Sequence, residues 1–92
     1  MIQKFKHKRL KKLFEYGVSS GVKQQHVTRL RQILALLETA EILDDMALPG
    51  LNLYELKGKR KGTWSVQVTG NWRVTFKLQK GDVFDVNYED YH

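Results

Sequence analysis

The spacing of apolar residues changes period near the middle of the chain, and this change restricts the fold more than any other feature. From Trp64 to Leu78 the apolar side chains take every second position: Trp64, Val66, Val68, then Trp72, Val74, Phe76 and Leu78. Residues two apart share a face of a strand, so the stretch predicts two strands with one apolar and one polar face. Gly70-Asn71 between them is a two-residue hairpin signal. A second turn at Gln79–Asp82 leads into a third strand, in which Phe84, Val86 and Tyr88 alternate with Asp85 and Asn87. Leu51–Leu56 is expected to add another strand.

The first half follows a helical period instead. After a short extended start around Ile2–Phe5, Leu10, Leu13 and Phe14 recur at i, i+3, i+4, and Gly17 is placed to stop that helix. Val27, Leu30, Ile33, Leu34 and Leu37 make a second, longer stripe. A helical turn is expected around Ile42–Met46, ahead of the Pro49-Gly50 turn. Two striped helices can cover the apolar face of the antiparallel sheet, which predicts a two-layer α+β fold. With 92 residues and no linker or repeat, residues 1–92 are expected to form a single domain. The polar sheet face would present Ser65, Gln67, Arg73, Thr75 and Lys77, joined by Asn87, Glu89 and Tyr91 if the last strand keeps its parity. That face is expected to be free for function.

Charge narrows the partners. Residues 1–31 carry +8, 32–56 carry −5, 57–80 carry +7 and 81–92 carry −4. Two basic blocks suit a phosphate-rich ligand if the fold brings them together, and are otherwise solvated faces. There is no cysteine, which removes disulfides and thiolate metal sites and fits a reducing compartment. The longest apolar run, Ile33–Leu37, is far short of the ~20 residues of a membrane span. No apolar stretch follows the basic N-terminus as a secretory signal requires. The expectation is a cytoplasmic protein with no membrane partner.

Most enzyme chemistries lack their residues here. No glycine-rich phosphate loop precedes a helix, no Ser or Thr lies in a nucleophile elbow, and His7, His26 and His92 lack metal-ligand spacing. No metal or cofactor is expected. What remains is a basic, aromatic second half. Lys57-Gly58-Lys59-Arg60-Lys61-Gly62 is a dense cationic loop in which Lys57, at the strand end, has the best-fixed position. Arg73 lies mid-strand, where its fork either pairs with Asp85 or Glu89 or holds a phosphate bidentately. Asp90-Tyr91-His92 follows the last strand without a linker and supplies an acid, a phenol and an imidazole. An imidazole titrates near neutrality and suits proton transfer during RNA cleavage.

The stretch Leu56-Lys57-Gly58-x-Arg60-x-Gly62-x-Trp64-Ser65, then Asn71-Trp72-Arg73-Val74-Thr75-Phe76, Gly81-Asp82 and Tyr88-x-Asp90-Tyr91-His92, resembles the HigB toxins. These are a branch of the RelE/ParE superfamily of bacterial toxin–antitoxin systems. The start, Met1-Ile2-x-x-Phe5-x-His7-Lys8, extends the resemblance over essentially the whole chain. It implies a RelE-like fold and a metal-independent, ribosome-dependent endoribonuclease that cuts mRNA in the A site. It also implies a HigA-like helix-turn-helix antitoxin, with operator DNA bound only through the toxin–antitoxin complex.

By position, the resemblance makes His92, Arg73, Lys57, Tyr91 and Asp90 the catalytic group. Lys59, Arg60, Lys61, Lys77 and Tyr54 are the expected RNA contacts. Some family members have His just upstream of the Leu-Lys-Gly motif, where this chain has Tyr54; a phenol stacks or donates a hydrogen bond but is no neutral-pH base. Two other functions compete. A ParE-like gyrase poison would lack an arginine paired with a closing histidine. A non-catalytic nucleic-acid-binding module would show steep salt dependence and indifference to loss of His92.

Overall fold

The helical stripes fold as α1, Lys8–Tyr16, and α2, Val27–Thr39, in a computed structural model that describes residues 1–91. His7 starts α1: its Nδ1 accepts from the Leu10 N–H at 3.1 Å. This satisfies one of the donors that a helix start leaves unpaired. Gly17 ends the helix at φ 72°, a left-handed conformation that costs glycine little. Short 3₁₀ turns follow at Gln24–His26 and Leu43–Met46.

The second half forms β1 (Tyr54–Glu55), β2 (Trp64–Thr69), β3 (Trp72–Gln79) and β4 (Asp82–Asp90), antiparallel and in that order. Leu10 and Leu13 of α1 and Leu30, Ile33, Leu34 and Leu37 of α2 are buried in one cluster with Val66, Val74, Phe76, Val83 and Val86. The α+β, two-layer expectation therefore holds. The extended start adds a parallel segment along the β4 edge, through bridges Ile2↔Val83 and Phe5↔Val86. Covering that edge removes a template for strand pairing with other chains. Among the described residues, no helix is long and apolar enough to cross a membrane.

Three sequence expectations are corrected. The strand expected over Leu51–Leu56 shrinks to Tyr54–Glu55, because Asn52 takes a left-handed φ of 51° and turns the chain. In β4, Phe84 does not share the core face with Val86 and Tyr88. The register slips between Thr75↔Asn87 and Lys77↔Phe84, and Asp85 has φ 54°. Such a bulge sets two residues against one and reverses the facing of everything before it. Val83 thereby takes the core place, fully buried, while Phe84 is half-buried opposite Lys77. The polar face, third, is not free at its centre: Ser65 and Thr75 are 0% and 1% exposed.

Phe76, fully buried at the centre of β3, tests the core directly. Phe76→Ala is expected to cost about 3–5 kcal/mol, from lost burial plus the cavity left behind. The measurement is urea unfolding, with a lower midpoint at an unchanged slope. A loss below about 1 kcal/mol would mean that the layers close over the gap.

Candidate functional site

Strand register assembles the polar face row by row. Tyr54, Ser65, Thr75 and Asn87 stand side by side across β1 to β4, and Gln67, Arg73 and Glu89 form the next row. Above them the cationic loop folds back as a 3₁₀ turn, Gly58–Arg60. Its Arg60 reaches Glu89 with both terminal nitrogens, Nη1 to Oε1 and Nη2 to Oε2, each at 2.8 Å. Glu89 Oε2 also accepts from Thr75 Oγ1 at 3.0 Å and from Asn87 Nδ2 at 3.2 Å. This network closes the centre of the face.

Arg60 is therefore a bound cation and not an open phosphate contact. Its fork, together with the Thr75 and Asn87 donors, holds the Glu89 carboxyl below the usual carboxylate range against the opposing effect of burial. The same pair raises Arg60 further above neutrality, and the Tyr91 and Tyr54 phenols add to this shift. The sequence pattern puts Glu89 on the polar face and offers it as a partner for Arg73, not for Arg60. The signal was present, since parity places Glu89 opposite Arg73; which of several cations would reach it was not.

A pH prediction follows from Glu89. Its folded carboxyl binds a proton less readily than the unfolded one, so its contribution to stability is complete above the unfolded pKa. That contribution is lost as pH falls through the lower, folded pKa. Glu89→Gln should be less stable than wild type near neutrality, and the difference should shrink as the medium becomes more acidic. Urea unfolding of both proteins from pH 7 to pH 3 reads this, and a pH-independent gap would contradict it.

With Glu89 taken, Arg73 has a different environment. Its guanidinium lies 4.9 Å from the centre of the Tyr54 ring, a cation–π placement. Its Nε is buried with no hydrogen-bond partner among the described residues, and Nη1 makes only a long 3.5 Å approach to the Asn52 carbonyl. Tyr54 packs edge-on against Tyr91, with ring centres 6.5 Å apart. The Tyr91 N–H donates to the Asn71 carbonyl at 2.7 Å, which ties the residue after β4 to the β2–β3 turn. Arg73, Tyr54, Tyr91 and the Arg60–Glu89 pair thus form one cluster.

The other expected site residues make none of these contacts. Lys57 precedes the 3₁₀ turn, and Lys57, Lys59 and Lys61 are exposed on the loop. Lys77 is four residues along β3 from Arg73, about 13 Å for a strand, and lies 3.9 Å from the Asp85 carboxylate. Asp90 registers with Trp72, not Arg73, and lines a cleft on the helix side. His92 lies outside the described residues. Arg29, one cation of the first basic block, is committed to structure: it donates to the Gly50 and Gln67 carbonyls at 2.7 and 3.0 Å.

The arrangement offers a semi-buried fork with unused donor capacity beside two phenols, with exposed lysines on the neighbouring loop. Such a surface suits an extended, polyanionic ligand with aromatic rings more than a small apolar one. The model of a family of RelE-like toxins, HigB of type II toxin–antitoxin systems, matches residues 3–92. A protein of Proteus vulgaris named Endoribonuclease HigB is 48% identical over 92 residues, covering all of both chains.

Proposed function

The chain belongs to the HigB-like family of RelE-like toxins of type II toxin–antitoxin systems, and on that premise we propose that it is an endoribonuclease that cuts mRNA in the ribosomal A site and so stops translation. The observation that carries the reading is Arg73, held over the Tyr54 ring, which itself packs on Tyr91, with an Nε that has no hydrogen-bond partner among the described residues. A guanidinium stacked on a ring and only weakly engaged at Nη1 supports this reading, since such a fork can take a phosphate bidentately.

In the proposed reaction the RNA 2′-hydroxyl attacks the adjacent phosphorus and the 5′-oxygen of the next nucleotide leaves. The products are a 2′,3′-cyclic phosphate and a 5′-hydroxyl. Arg73 and Lys57 stabilise the added charge on the phosphorane. His92 transfers a proton as general acid or base. Tyr91 and Tyr54 stack on or orient the nucleotide. Asp90, at the root of the closing segment, positions it. Lys59, Lys61 and Lys77 contribute attraction to the RNA backbone, and Arg60 acts through Glu89 by fixing the face on which the tyrosines stand. No resident metal or cofactor has a role in this scheme.

A type II toxin has a protein antitoxin as its partner. Here it is proposed to be a HigA-like helix-turn-helix protein, which neutralises the toxin and carries it to operator DNA. The site of action is the cytoplasm, where translating ribosomes are.

With its centre closed by the Arg60–Glu89 network, the face has few groups to read bases, so the ribosome supplies the positioning of the message. Mapping of mRNA 5′ ends tests this. Purified wild-type protein should produce discrete 5′-hydroxyl ends at A-site codons with ribosomes present, and little cleavage of the same mRNA alone. Equal cutting of naked mRNA would sink the ribosome requirement. No new ends under either condition, with steep salt-dependent RNA binding, would favour the non-catalytic module.

A further inference from the structure

On the helix side of the same sheet end lies a cleft of about 510 Å³. It is lined by His7, Gly21, Lys23, Trp72, Tyr88 and Asp90, among others. Its floor is polar and aromatic, unlike the aliphatic core beside it. Trp72 and Tyr88 pack with ring centres 4.7 Å apart, and the His7 ring meets Tyr88 edge-on at 5.5 Å. Beneath them His26, 3% exposed, is hydrogen-bonded through Nδ1 to the Tyr88 hydroxyl.

Cations stand at the rim. Lys23 Nζ is 5.5 Å from the centre of the Trp72 ring. Arg9 crosses the rim at Gly21 so closely that a Cβ there would fall 2.4 Å from Arg9 Cδ. The His7 Nδ1 accepts from the α1 backbone, so the proton of its neutral imidazole is on Nε2. Burial, with Arg9 adding to it, favours that neutral form.

An aromatic wall with a mobile cation above it, a second cation at the rim and a fixed imidazole donor match one nucleotide: a base to stack and a phosphate to pair. Its location gives the match a use. Trp72 and Arg73 are consecutive in β3 and face opposite sides of the sheet, so their Cα atoms are about 3.8 Å apart. A strand of RNA that bends around this sheet end reaches both faces.

We propose that this cleft is a second nucleotide subsite, taking a nucleotide next to the one cleaved, with its base on Trp72 and its phosphate on Lys23 and Arg9. Lys23, exposed and on a flexible stem, leaves the ring for the phosphate as the base enters. The inference rests on the RNA-cleavage reading above and extends it from one face of the sheet to two.

The test uses the full chain and a tetranucleotide RNA with every 2′-oxygen methylated, which blocks the attacking hydroxyl. The protein has two tryptophans, Trp64 and Trp72, so a ¹H–¹⁵N spectrum carries two indole signals. Titration should move the Trp72 indole and the Gly21 and Lys23 amides together with the Arg73 and Tyr91 amides. Lys23→Ala should lower the slope of log affinity against log salt by about 0.7, the share of one phosphate contact on a single strand. Trp72→Phe, which keeps a ring for packing, should weaken binding less than Lys23→Glu.

Shifts confined to the Arg73 face, with the salt slope unchanged in Lys23→Ala, would overturn the subsite and leave the cleavage site standing. Shifts confined to the cleft would overturn the Arg73 site and, with it, the placing of this subsite next to a cleaved nucleotide. Shifts on neither face at saturating RNA would overturn both.

Discussion

Replacing His92 by alanine is expected to leave the fold intact and to slow mRNA cleavage on ribosomes by about 10²–10⁴, the scale of one positioned proton-transfer group. The expectation rests on where the segment before it is held. The Tyr91 N–H bonds to the Asn71 carbonyl, and its ring packs on Tyr54, which itself lies under Arg73. No histidine stands at position 54 to share the work, so the loss should not be buffered by a second imidazole. Single-turnover cleavage of a defined ribosome–mRNA complex measures the effect. Cleavage undiminished in His92→Ala would remove this residue from the mechanism.

Arg73→Ala is the second large effect, with an expected loss of about 10²–10³ in the rate of the chemical step, comparable to removing one preorganised donor to a developing anion. Its fold cost should be small, because the side chain stacks on Tyr54 at the surface of the sheet and is not part of the apolar core. Arg73→Lys is the sharper variant. A lysine restores the charge but neither the planar stacking on Tyr54 nor the two-pronged donation, so it should recover only part of the activity. Full activity in Arg73→Lys would show that the site needs a positive charge and no fork. Ribosome cleavage assays on the three proteins, with urea midpoints as the fold control, distinguish these outcomes.

Much of the architecture was legible because burial imposes periods on sequence. The Leu10/Leu13 and Leu30/Ile33/Leu34/Leu37 stripes could serve only helices with one covered face, and the alternation from Trp64 to Leu78 only a one-sided hairpin. Gly17 and Gly70-Asn71 end their elements for local backbone reasons, which a sequence states directly. The chemistry-bearing residues were legible as types: a strand arginine, a cationic loop, a closing acid–phenol–imidazole run.

Pairing among those residues was not legible. Parity sets Arg73 opposite Glu89, and a local reading joins them; the loop instead delivers Arg60, whose fork meets the same carboxylate with two 2.8 Å bonds. With Glu89 taken by Arg60, the Arg73 Nε has no hydrogen-bond partner among the described residues. A left-handed Asp85 likewise carries Val83 into the core in place of Phe84, because a bulge reverses strand facing without changing the composition of the strand. Register similarly turns Asp90 toward Trp72 and the helix-side cleft, away from the Tyr91 that follows it.

Elements, the faces they bury and the inventory of polar groups follow from local propensity and apolar spacing, which a linear chain carries. Which cation meets Glu89 follows from how far a loop reaches across a folded sheet, and Arg60, not Arg73, makes that contact.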